Sequence, residues 1–485
     1  MLASDEGEGQ RLCNDLSSMG TAALVYPARD FNFRAAEGQS REYEHQRLQV
    51  MAGMLDGDYQ VVISCIDAAL QYTIPPDELR SKRLTLRAGQ EAPLEKIEAL
   101  LSASGYERYQ QVEGPGQFAV RGGILDFFTP DASAPVRVEF WGDEIDTLCY
   151  FDPETQRRTD DPLEEITLAP STEVLVSSPG SLAKKIERLS AGLRGKTAVR
   201  AKERLAQEAD QRLAERPGSA DKFLPLLYPS PATLLDYLEP EALVFQSEPI
   251  KIKERLRSTA WQWGEDLKDY LEEGILCKGL DAFSGDYIYV QKQLERRDCV
   301  YLDTFVRGSY DTPLSSLISL NARQLSVWGG GMQLLQEDLN AILSPKMRIV
   351  VLGGTERSAR AAAEDLQNSG VPCEYRDDAK TLSLGRVTVL PGSLSAGFEY
   401  PTANFALITH GHFAAAPKRT RKRQKKRQGD LQPFRAGPRG LYRPFGPWRR
   451  RVRGDSQAGN ARGHQGLFKG TLCQGGHFIC ARHPA

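Results

Sequence analysis

Short apolar strands that alternate with helices constrain this chain more than any other feature, because such alternation closes into a parallel sheet. Residues 22–26 form a short apolar run ending at Pro27, and residues 42–55 carry Tyr43, Leu48, Met51 and Leu55 at helical spacing. Residues 61–64 form a second buried run, and residues 66–70 open another helix. The pattern returns at 317–412, where Arg348-Ile349-Val350-Val351-Leu352 precedes an Ala-rich helix over 356–367, with further strands at 371–375, 387–390 and 405–409. The expected fold class is α/β. The first unit opens on a helix over 10–18 with no strand before it, so the amino terminus is expected to be truncated.

Between these units the pattern changes. Residues 84–86 read as a strand and 93–104 as a helix, and then short strands follow one another from 114 to 170, separated by Gly122-Gly123 and by Asp/Ala/Ser/Pro turns. That is a compact α+β domain. Residues 182–215 form a charged helical stretch broken near Gly192 and Gly195, the pattern of a helical hairpin. Residues 242–245, 287–290 and 299–302 read as further strands.

At 485 residues the chain is too long for one core. No apolar run approaches the ~18 residues of a membrane span, and the acidic start lacks the apolar core of a secretory signal. Eight scattered cysteines fit a reducing cytoplasm. The net charge of −2 hides a split: residues 417–485 hold 18 of the 62 Lys and Arg but only 2 of the 64 Asp and Glu, which leaves a net of −18 on residues 1–416. Within that tail Lys418, Arg419, Arg421, Lys422, Arg423, Lys425, Lys426 and Arg427 form a polycation suited to a solvated linker or to salt-sensitive contact with DNA or RNA phosphates. The tail has no Glu and no hydrophobic period, and is expected to be disordered.

Four patterns invite chemistry. Gly353-Gly354-Thr355 lies between a strand and a helix, as an anion site would, but lacks the Gly-Lys-Ser/Thr of a phosphate loop; Thr355 as a helix cap is the plainer reading. Phe245-Gln246-Ser247-Glu248 ends a strand where a motor ATPase carries Asp-Glu, with Ser247 in place of the first acid. Cys473, His477, Cys480 and His483 have zinc-like spacing in a Gly/Arg context with nothing to hold a tetrahedral site, and His410-Gly411-His412 reads as a strand end. Neither a metal nor a bound cofactor is expected. Arg121, Arg137 and Trp141 are of the residue types that dominate binding hot spots. Alternatively, each Arg pairs with a local acid such as Asp126 or Glu139, and the residues alone leave both readings open.

Several strings resemble one family. Gly114-Pro115-Gly116-Gln117-Phe118-Ala119-Val120-Arg121-Gly122-Gly123-Ile124-Leu125-Asp126, continuing to Phe151-Asp152-Pro153-Glu154-Thr155-Gln156-Arg157, resembles the bacterial transcription-repair coupling factors (Mfd). Arg41-Glu42-Tyr43-Glu44-His45-Gln46-Arg47 upstream fits too, as does the stretch from Gly392 to Pro401, so that the resemblance covers about residues 8–427. It implies a UvrB-like module. Residues 1–82 and 171–312 would be the two parts of a degenerate helicase-like domain without ATPase activity. Residues 83–170 would be an inserted UvrA-binding domain, 313–413 a second small α/β domain, and 414–485 a basic linker and tail. Arg121, Arg137 and Trp141 match the family's UvrA-contacting positions, and the surface they form is normally masked by a carboxyl-terminal domain. RNA polymerase binding and the translocase that uses ATP and Mg would lie beyond the linker. Regrouping the bases of a back-translated 464–484 by one position gives a string resembling the family's polymerase-binding domain, so the tail is expected to be frameshifted. The implied function is an adaptor in transcription-coupled nucleotide-excision repair; the alternative is non-specific nucleic-acid binding through the tail.

Overall fold

The computed structural model describes residues 1–31, 33–34, 40–176, 178–195, 198–213 and 220–411, and residues 476–481 by their backbone alone. The first piece contains β1 (Leu2–Ala3), α1 (Glu6–Ser18), β2 (Ala23–Tyr26), α2 (Glu42–Asp56), β3 (Val61–Cys65), α3 (Ile66–Leu70) and α4 (Pro76–Ser81). Contrary to the sequence expectation, a strand precedes the first helix: Leu2 pairs with Ser64 on one side and Gln246 on the other, both in parallel. At two residues, β1 is too short for periodicity to show. The helix also starts earlier than its apolar spacing suggests, because the Asp5 side chain accepts from the Glu8 amide and caps it.

The insert follows with β4 (Leu84–Arg87), α5 (Leu94–Ala103), β5 (Glu107–Arg108), β6 (Gln117–Arg121), β7 (Ile124–Phe127), β8 (Val136–Trp141), β9 (Glu144–Phe151), β10 (Arg158–Pro162) and β11 (Glu165–Leu168). Six strands form one sheet in the order β10-β9-β8-β7-β6-β5, antiparallel except for β5 on β6, while β4 and β11 pair separately. Period-two alternation puts Phe118, Leu125, Phe127, Val136, Val138 and Leu148 into one core with Ile97 and Leu101 of α5. Burying each such side chain contributes about 1.5–3 kcal/mol. The opposite face carries Asp126 and Arg137 beside a small buried cluster of Val112, Ala119 and Phe151.

After the insert come α6 (Pro179–Gly192), α7 (Ala198–Leu213), α8 (Leu224–Leu227), β12 (Val244–Ser247), α9 (Pro249–Glu272), α10 (Tyr287–Leu294), β13 (Cys299–Asp303) and β14 (Ser316–Leu320). In the charged stretch α6 ends at Gly192 and α7 begins after Gly195. Residues 287–290, expected as a strand, are helical: Asp286 accepts from the Tyr289 amide, and Val290 and Leu294 are buried four residues apart. The 24-residue α9 was not foreseen, although Ile252, Leu256, Trp263, Leu267 and Tyr270 face the core at helical spacing. The parallel strands run β13-β12-β1-β3-β2.

The last unit contains β15 (Arg323–Leu325), α11 (Met332–Ile342), β16 (Arg348–Leu352), α12 (Glu356–Asn368), β17 (Cys373–Tyr375), β18 (Val387–Leu390), β19 (Gly397–Tyr400) and β20 (Phe405–Thr409). Its sheet order is β15-β19-β20-β16-β18-β17, parallel from β20 to β17 and antiparallel at the β15 edge. This sheet begins at Arg323, because β14, expected in the same unit, belongs to the larger sheet instead. The described part of the tail, β21 (Gly476–Ala481), is ordered contrary to expectation and pairs antiparallel with both β13 and β14. Phe478, Ile479 and Cys480 give this segment the β-propensity that the surrounding Gly and Arg lack.

Candidate interaction surface on the insert

Two tight hairpins build the surface. Arg121 pairs with Ile124 across Gly122-Gly123, and Trp141 pairs with Glu144 across Gly142-Asp143. Gly122 and Gly142 have φ of +62° and +64°, which two-residue hairpin turns of the primed types require. Because β6 and β8 run the same way, both tips lie at one end of the sheet. The β8–β9 register shifts between Glu139 and Phe140, whose partners are Thr147 and Ile145, so Asp146 is an extra residue. Such a bulge turns the end of a strand and re-aims its side chains. Trp141 lies just beyond it and is 83% exposed.

The two arginines share one carboxylate. Asp126 is fully buried on β7, directly across from Arg137. Arg137 donates from Nε to Asp126 Oδ1 at 2.7 Å and from Nη2 to Oδ2 at 2.8 Å, while Arg121 Nη2 reaches Oδ2 at 2.5 Å. Arg137 also donates to the Gln156 carbonyl at 3.2 Å and lies 4.7 Å over the Phe151 ring. Its hydrogen bonds to Asp126 hold the guanidinium above its usual pKa, against a smaller opposing effect of burial. The side chain of Arg137 is 13% exposed and that of Arg121 is 42% exposed. The residue pairing left open by the sequence is therefore Asp126 for both; Glu139 pairs with Arg158 instead. Two cations share one buried anion, and the exposed indole lies four residues further along β8 from Arg137, with Glu144 across from it. The half-exposed guanidinium of Arg121 and the exposed indole can dock an anionic or carbonyl-rich surface.

The other sequence candidates resolve differently. Ser247 donates to Glu8 at 2.7 Å, and Glu248 accepts from the backbone amide of Thr304 at 3.2 Å and from its hydroxyl, so the acids at this strand end are engaged within the fold. Thr355 caps α12 by accepting from the Ser358 amide. Gly353 is needed for packing, since a Cβ there would lie 2.5 Å from the Ala359 Cα. His410 follows β20 and meets the Trp328 ring edge-on at 4.9 Å. Among the described residues no group of three or more His, Cys, Asp or Glu could hold a metal ion, and no helix is long and apolar enough to cross a membrane. The polycation from Lys418 to Arg427 lies outside the described residues. So do Cys473 and His483, together with the side chains of His477 and Cys480.

Residues 84–174 match the family model of the UvrB interaction domain. Over 439 residues the chain is 26% identical to the transcription-repair-coupling factor of Bacillus subtilis, covering 86% of this chain and 36% of that one. It is 24% identical to the one from Staphylococcus aureus over 408 residues (82% and 34%), and 25% identical to that of Staphylococcus epidermidis over 417 residues (82% and 34%). The chain thus spans about a third of the length of the curated relatives it matches. The resemblance seen in the strings around Arg121 and Trp141 holds across most of the chain.

Proposed function

We propose that this chain recruits UvrA in transcription-coupled nucleotide-excision repair, with Arg121, Arg137 and Trp141 as the contact residues. The match of residues 84–174 to the UvrB interaction domain carries this reading. The exposed Trp141 and the half-exposed Arg121 at the hairpin tips are its physical support. The pieces before and after the insert act as a degenerate helicase-like frame that hydrolyses no ATP: its strand end at Ser247 is bonded to Glu8. The setting is cytoplasmic.

Binding of purified UvrA to the wild-type chain and to the Arg121→Ala and Trp141→Ala variants tests the reading. These variants are preferable to reversing the charge of Arg137, which would confront buried Asp126 with a second anion and confound binding with folding. Undiminished affinity in both folded variants would rule out this site. A second reading has one observation behind it, the polycation from Lys418 to Arg427: contact with DNA that weakens steeply as salt rises. Deleting residues 417–485 and repeating a salt titration on duplex DNA separates the two.

A further inference from the structure

The string Arg41–Arg47 marks the start of α2, and the hairpin surface makes no use of it. The insert is joined to the first piece by one connection and to the second by another, and both connections are bonded to this one helix. On the inbound side, Arg83 makes a two-pronged pair with Asp56 at the last turn of α2, each bond 2.6 Å. On the outbound side, Glu44 in the first turn accepts from Thr172 Oγ1 at 2.8 Å and from the Glu173 amide at 2.9 Å. Arg47 donates to both Glu173 oxygens, at 2.6 and 3.1 Å. Glu44 and Asp56 are separated by about 18 Å along the helix axis.

The outbound anchor is fully buried at Arg47 and Glu173 and well saturated. Arg47 also donates to the Pro27 carbonyl and to Gln71, and Glu173 accepts from Thr73 Oγ1 at 2.6 Å. Arg29 lies 3.5 Å from Glu44 and 2.7 Å from Asp221, which adds the chain after the insert to the same cluster. Burial alone would raise the Glu173 carboxyl; Arg47 and Arg29 overcome it and hold the group below its usual pKa.

Domains tethered by linkers swing by default. Two bonded points on one helix remove that freedom, because rotation about either one breaks the other. We infer that α2 is a two-point mount that fixes the orientation of the insert, and with it the hairpin tips, on the parallel-sheet piece. The functional sense of the mount rests on the UvrA reading above; its geometry does not.

A distance measurement by pulsed electron resonance tests it in the full chain. Cys473 and Cys480 are replaced by Ser, and spin labels are attached to cysteines substituted for exposed Gln10 and Asp143. The wild-type background should give one narrow distance distribution. Arg83→Gln should broaden it, and Arg83→Gln with Glu173→Gln should broaden it further, while the Arg83→Gln variant retains wild-type UvrA affinity. A broad distribution in the wild-type background overturns the mount. So does an unbroadened one in folded Arg83→Gln, which decides the matter alone if the double variant fails to fold. Failure of the wild-type chain to bind UvrA overturns the functional reading and leaves the mount to the distances.

Discussion

Trp141, Asp126 and His45 each carry a distinct consequence. Trp141 is almost free of the fold, so Trp141→Ala should leave the unfolding midpoint unchanged within error. If the indole is a hot spot worth about 2 kcal/mol, UvrA affinity falls by about 30-fold, measurable by titration calorimetry. Asp126 is the opposite case. Asp126→Ala leaves Arg137 mostly buried without its anion and should cost about 3 kcal/mol, read from denaturant unfolding of the full chain. His45 is pressed against Gly116, and burial, helped by Arg41, lowers its pKa from 6.5 to about 4. Between those values the unfolded chain holds the extra proton. Stability therefore falls as pH drops from 6.5 towards 4, and is fully present above 6.5. His45→Phe should flatten that part of the unfolding midpoint's pH profile.

At the scale of elements, legibility followed the distance between cause and effect along the chain. Val61–Cys65 and Arg348–Leu352 announce themselves, because each holds at least three consecutive aliphatic residues, and four of five residues in each are buried. Tyr287–Leu294 misleads: its first four residues have strand propensity, and the cap at Asp286 decides for helix. The α9 signal was present but diluted by Lys251, Lys253, Arg255 and Arg257 among its apolar positions. The insert's arginines were legible as a pair of alternatives, and the cross-strand register selected Asp126. Nothing local announces Arg47 with Glu173, which are 126 residues apart. Gly353 belongs at this scale as well. It suggested a phosphate site, yet it lets α12 approach β16. Gly353→Ala should lower stability by about 1–3 kcal/mol through overpacking, measured by denaturant unfolding.

At the scale of the molecule, an α/β frame with a parallel sheet carries an α+β insert, and a second small α/β sheet follows. The frame's strand-end acids are bonded to neighbours in the fold, and DNA should not stimulate phosphate release from ATP by this chain; a coupled phosphate assay above background would refute that. The attachment of the insert has a mechanical consequence. A pull on anything gripped by the hairpin tips cannot be absorbed by slack in the connections. It arrives on α2 at two places and loads that helix in shear, through the pairs Arg83–Asp56 and Arg47–Glu173. The insert thereby works as a stiff handle: a tug at one end of its sheet becomes a tug on the frame.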